Sequence, residues 1–330
     1  MLHTFLSTLS PMATLFLSMS VGYILKRFNI LPNESGKVIS KLIMWALYPA
    51  LCFVTMAKYC TPSTLAKHGS NIIFSSIGIL IALSLSASLV NVFAKRGTYE
   101  RGVYRYALTF SNCGYMGDPL VLALFGDLML SYYKIYCLPI NIIIYTWGFC
   151  QLVPSTDKSF NGIVKKFFNP PTTAMLLGTV VGLSGLGEYL PAFMTGTLES
   201  LKACMGPMAM ILAGFTVANY NILSMLKNKK TYLATALRLL VLPTVIICIL
   251  YFSKELYCLV TGIQLDNLFL YLAFFATATP LGLNTVVIPE SYGQDPEPGA
   301  GMTLISHTLC IITIPLMFSF LTMIFGYPSL

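Results

Sequence analysis

Apolar residues run along this chain in blocks of about twenty, the length an α-helix needs to cross a bilayer, and each block is closed by a short polar or basic stretch. On that rule the sequence predicts ten segments, at 5–25, 37–57, 71–94, 102–127, 132–152, 171–187, 196–220, 231–253, 266–292 and 300–325. Two of them differ from the rest. The fourth contains "SNCGYMGDPL" (Ser111–Leu120), and the ninth reads "FFATATPLGLNTVVIPESYG", with Pro280, Gly282, Asn284 and Pro289. Both are interrupted near the middle by residues that break helices.

Composition agrees with the pattern. The chain is 56% hydrophobic and 10% charged, with a mean hydropathy of +0.76, where soluble domains carry about a quarter charged residues. The reading is an all-α polytopic membrane protein, with the lipid bilayer as its surroundings and no length left over for a soluble domain. The net charge of +8 does not point to nucleic acid, because the basic residues sit in small clusters between apolar runs. With the N-terminus outside, fourteen Lys and Arg fall on inner loops against four (Lys58, Lys67, Lys134 and Lys254) on outer ones. Both termini are therefore expected outside, in a multi-pass protein of the plasma membrane. "MLHTFLSTLS" lacks a basic n-region and a small-residue cleavage site, so the first apolar run is expected to be retained. Nine single cysteines without a C-x-x-C pair read as apolar filler rather than metal ligands or disulfides.

The hydrophilic stretch "STDKSFNGIVKK" divides the chain into 1–153 and 170–330, joined by a cytoplasmic linker at 154–169. Five spans per half would invert the second half relative to the first. Proline spacing echoes this: Pro11, Pro32 and Pro49 are matched by Pro170, Pro191 and Pro207. A break in a spanning helix frees backbone N–H and C=O groups that lipid cannot satisfy, so it persists only inside protein or beside a water-filled cavity. A single break could be a packing kink. Two breaks at the fourth position of two halves, with Asn112 and Asn284 beside them, point instead to one shared site near the midplane.

The first break also carries a resemblance. "SNCGYMGDPLV" resembles the crossover of the auxin efflux carrier family, approximately N-x-G-[FY]-[ML]-G-x-P-L, through Asn112, Gly114, Tyr115, Met116, Gly117, Pro119 and Leu120. "TPLGLNTVVIPESYGQD", "RLLVLP", "LYPAL", "NPP" and "ITIPL" sit where that family has similar segments. Without a long central hydrophilic loop, the chain looks like a bacterial member, similar to malate or other organic-anion permeases. The resemblance implies ten transmembrane helices in two inverted five-helix repeats, with crossed, broken helices 4 and 9, as in sodium/proton antiporters and bile-acid symporters. It further implies a secondary transporter of small organic carboxylate anions (malate, malonate or auxin-like acids) working by elevator-type alternating access. Substrate would be touched at the crossover, at Asn112, Gly114, Gly117, Pro119, Pro280 and Asn284. A homodimer is left open.

Asp118 and His307 are not fixed by the family pattern, and both are candidates for coupling to Na+ or H+. Asp118 has three readings: an N-cap, a cation ligand or proton carrier, or a direct substrate contact. Arg238 lies inside the eighth span, where it either snorkels to the headgroups or faces an anionic substrate. His307 is a coupling or a packing histidine. The 19 Tyr and 21 Phe read mostly as interfacial belts and lipid-facing surface. No catalytic set, metal-ligand spacing or nucleotide-binding motif occurs, so an enzyme, a metal or other cofactor, and ATP-driven transport are not expected. The competing function is a cation/proton antiporter of the same architecture, which would want more than one intramembrane carboxylate.

Overall fold

The computed structural model describes residues 2–154, 168–220, 227–262 and 267–328. Most of the expected linker, residues 155–167, lies outside them. The described residues are helical, joined by short turns, with no strand beyond one isolated bridge. In chain order the helices are α1 (Leu2–Arg27), α2 (Ser35–Tyr59), α3 (Pro62–Phe93), α4 (Tyr99–Thr109), α5 (Cys113–Gly126), α6 (Leu128–Tyr136) and α7 (Leu138–Leu152). There follow α8 (Pro170–Ser184), α9 (Ala192–Val217), α10 (Lys229–Val260), α11 (Leu268–Thr277), α12 (Asn284–Tyr292) and α13 (Glu297–Phe325). Six described helices are long and apolar enough to cross a membrane; α6 and α7, bent by 48°, make a seventh if they count as one span.

Local chemistry sets many of the ends. Thr61, Thr98 and Asn169 cap α3, α4 and α8, each side-chain oxygen accepting from a backbone N–H three residues on. Pro62 and Pro170 occupy the first helical position, where the missing N–H costs nothing. At the other ends, Gly185, Gly262 and Gly293 adopt φ of 72°, 72° and 71° and stop their helices in the left-handed conformation.

Prolines also explain why several spans are not simple α-helices. π-turns cover Ile43–Leu47, Cys113–Gly117, Ile144–Gly148 and Leu237–Val241. Pro49, Pro119 and Pro243 each stand two residues after a π-turn. A proline ring clashes with the carbonyl four residues earlier (Trp45, Tyr115 and Leu239 here), and widening the turn moves that carbonyl away. The motifs "LYPAL", "GDPL" and "LVLP" are thus the places where the helical register shifts.

Glycines set the closest approaches. A Cβ at Gly22 would collide with the Ile211 carbonyl, and one at Gly214 with the Met19 carbonyl, so α1 and α9 touch backbone to backbone. Gly178 and Gly182 bring α8 onto α2 in the same way. Such small-residue contacts suit helices in lipid, where dispersion rather than the hydrophobic effect holds them together. Large side chains such as Leu17, Leu80, Val180, Phe252 and Met323 remain exposed on the outer surface, as a lipid-facing exterior requires.

Candidate functional site

The two interrupted segments meet. Between α4 and α5, and between α11 and α12, the chain runs extended for a few residues, and the two stretches pair at Ser111 and Leu281 as an antiparallel bridge. Asn112 N–H donates to the Pro280 carbonyl at 2.8 Å, and Gly282 N–H donates to the Phe110 carbonyl at 3.3 Å. Several other freed groups are served by side chains. The Tyr133 hydroxyl lies 3.1 Å from the Cys113 carbonyl and 3.3 Å from that of Phe275, Ser111 Oγ donates to the Ala276 carbonyl, and Ser306 Oγ accepts from Leu281 N–H at 3.4 Å. Residues 269–289 are buried without interruption. Protein, not lipid, satisfies the broken backbone.

The two asparagines lie at this crossing but in unlike surroundings, and neither bonds the other. Asn284 is satisfied at both ends: its Nδ2 donates to the Tyr106 hydroxyl at 2.8 Å, and the Tyr115 hydroxyl donates to its Oδ1 at 3.3 Å. Asn112 places Nδ2 3.1 Å from His307 Nε2, while its buried Oδ1 has no partner. His307 Nδ1 lies 2.9 Å from the Thr303 carbonyl, which can only accept. The proton of a neutral ring is therefore assigned to Nδ1, which leaves Nε2 to accept from Asn112.

Asp118 forms a buried ion pair with Lys134 of α6. This corrects two expectations. Lys134 is not an outer-loop charge: it is 5% exposed and faces the crossing. Asp118 is not an N-cap, since its carboxylate turns to the ammonium and accepts from no backbone N–H among the described bonds. A sequence signal for Lys134 existed in the largely apolar stretch from Leu128 to Leu152; the fifth span at 132–152 already contained it, and counting it with the outer loop hid it. The pair lines a narrow pocket of about 20 Å³, room for a water, beside Cys113, Gly114, Tyr48, Asn141 and Tyr145. Gly114 has nothing within 4 Å of where a Cβ would lie, whereas a Cβ on Gly117 would strike the Tyr133 hydroxyl. Pro119 sets the π-turn that carries both glycines; Pro280 supplies the carbonyl that holds Asn112.

Two further readings change. Arg238 does not snorkel: it is 1% exposed, in the π-turn Leu237–Val241, with Nε and Nη1 unpartnered. The belt reading fits only part of the tyrosines: Tyr189, Tyr232, Tyr257 and Tyr327 are exposed, but nine of the 19 are buried. Tyr48, Tyr106, Tyr115, Tyr133, Tyr136, Tyr145 and Tyr271 are all buried, and Tyr48 sits 4.9 Å from the Tyr115 ring and 5.5 Å from that of Tyr145. The described His, Cys, Asp and Glu residues form no cluster that could hold a metal ion.

Comparison with known proteins bears on this geometry directly. The family model described as "Membrane transport protein" matches residues 7–161 and 158–318. The chain belongs to this family. It is the auxin efflux carrier family that the Asn112–Leu120 motif resembles. The transporter is 24% identical over 243 residues to an uncharacterized transporter of Methanothermobacter thermautotrophicus, covering 72% of this chain and 77% of that one. It is 23% identical over 203 residues to the uncharacterized transporter MJ1031 of Methanocaldococcus jannaschii, covering 60% and 65% respectively. This is a multi-pass membrane transporter whose two helix breaks form one buried crossing.

Proposed function

We propose that the protein is a secondary active transporter of small organic carboxylate anions, with the substrate held where the two broken segments cross. The carrying observation is the bonding of Asn112 to Pro280 within a membrane transport family: two discontinuous helices from separate halves of the chain meet at one point. The full architecture is then ten spans in two inverted five-helix repeats, with both termini outside. An elevator movement of the bundle that holds the crossing carries the site between the two faces.

An anion is favoured over a cation because the carboxylate at the crossing is already neutralised. Asp118 has Lys134 as its partner, so it is not a free ligand for Na+, as a cation/proton antiporter would need. Coupling, where it occurs, falls to His307. A second proton on Nε2 turns that atom from acceptor to donor, and the Asn112 amide must then offer its unpartnered Oδ1. The substrate would sense this flip at the first break.

The test is uptake of a panel of labelled mono- and dicarboxylates into proteoliposomes, with sodium and pH gradients imposed separately. Accumulation of a carboxylate under a pH gradient, unaffected by sodium, is expected. Transport of Na+ itself in exchange for protons, without any carboxylate, would replace this reading with the antiporter.

A further inference from the structure

We propose that Arg238 is the counter-charge of the transported anion, and that the crossing accepts one net negative charge: a monocarboxylate, or an acid with a single ionised carboxyl group. The inference rests on reading the crossing as a carboxylate site and adds which residue holds the charge and how much charge fits.

Arg238 is placed for it by the π-turn Leu237–Val241, which packs against α4 (the helix entering the first break) and against α13, the helix of His307. The guanidinium is 1% exposed, its Nε and Nη1 have no hydrogen-bond partner, and no carboxylate among the described residues pairs with it. A guanidinium cannot shed its proton to escape burial, so it stays a cation in a medium that penalises one. An anion delivered to the crossing would remove that penalty and fill the two vacant N–H groups with charge-assisted bonds. Arg238 is buried in this conformation, so the anion reaches it when the bundle opens.

The valence follows from the other charges. Asp118 and Lys134 cancel. Lys202 is paired with Glu199 at 3.0 Å. His307 is neutral in the tautomer its partners require, so the count is that of the crossing before a coupling proton is bound. Among the described buried cations Arg238 is the one left over; Arg105 of α4 also lacks a carboxylate partner, but it is only half-buried and lies over the Trp147 ring. One negative charge makes the loaded crossing neutral and lets it move past lipid without carrying charge, while a dianion would leave it charged again.

The experiment is calorimetric titration of the purified transporter in nanodiscs, at a pH where diacids are fully ionised. The probes are pairs sharing a carbon skeleton: succinamate against succinate, and malonamate against malonate. The monoanion of a bound pair is expected to bind at least about 10-fold more tightly. Arg238→Gln should weaken it by about 30-fold or more, as removal of one member of a buried charge pair does; Arg238→Lys, which keeps the charge, should weaken it less. If Arg238→Gln does not fold, wild-type proteoliposomes supply a second readout. Exchange of the monoanion should then be insensitive to membrane potential, while net uptake, in which the empty positive crossing returns, should depend on it. A folded Arg238→Gln protein that binds like wild type, a preference for the dianion, or potential-driven exchange would overturn the proposal and leave the carboxylate reading standing. Failure of every carboxylate to bind the wild type would remove both.

Discussion

The two breaks meet, yet they are built on different principles. The first, between α4 and α5, carries an ion pair, a π-turn, an open glycine face at Gly114 and an asparagine whose Oδ1 is unpartnered. The second, between α11 and α12, holds no charged residue from Leu268 to Pro289 and is buried from residue 269 to 289. Its asparagine is held at both ends by tyrosine hydroxyls. Satisfied polar groups fix a backbone, and unsatisfied ones are poised to rearrange. At the second break the Thr279 hydroxyl is unpartnered but Asn284 is fixed at both ends, so the first break, with its ion pair and the free Asn112 Oδ1, is the side with more to rearrange.

The sharpest way to break this contrast is to unpair the charge on the first side. Asp118→Ala leaves Lys134 buried without a partner and should destabilise the purified protein by about 3–5 kcal/mol, read from thermal unfolding in detergent. Replacing both, as Asp118→Leu with Lys134→Met, should recover most of that loss, because the pair's desolvation cost goes with it. Equal instability of the single and double variants would mean that the ion pair is not what the site balances.

Asn284→Ala is expected next in size. It strips the partners from two buried tyrosine hydroxyls and should cost about 1–3 kcal/mol. Asn112→Ala removes one bond and should cost only about 1 kcal/mol while abolishing transport. Stability measured beside uptake separates the two; a larger folding defect in Asn112→Ala than in Asn284→Ala would reverse the roles assigned to the breaks. Within the first break, Gly117→Ala pushes against the Tyr133 hydroxyl that serves both breaks, at about 1–3 kcal/mol. The smallest effect is predicted for Gly114→Ala, within about 0.5 kcal/mol, since its added methyl meets nothing. Its loss of transport, if measured at normal stability, would mark the pocket side of the π-turn as substrate-facing.

Much of this was legible before the fold. The apolar blocks placed the six or seven described helices that are long and apolar enough to span, and the two breaks came where Pro119, Pro280, Gly114 and Gly282 said they would. Asn112 and Asn284 were found from their position beside those breaks. What escaped was the company that each polar residue keeps. Lys134, Arg238 and the tyrosines were read against water and headgroups, because a hydropathy pattern ranks residues by their liking for lipid and not by which neighbour turns toward them.

The sequence by itself determined which segments are helical and apolar, where proline and glycine interrupt them, and which family the chain resembles, since all of these are local properties of residue type and spacing. Only the tertiary structure decided that Asp118 meets Lys134 sixteen residues on, that His307 reaches Asn112 across 195 positions, and that the π-turn before Pro243 buries Arg238. Those pairings depend on the angle at which two bent helices cross and on the one-residue register shifts at the π-turns, and no local pattern encodes either.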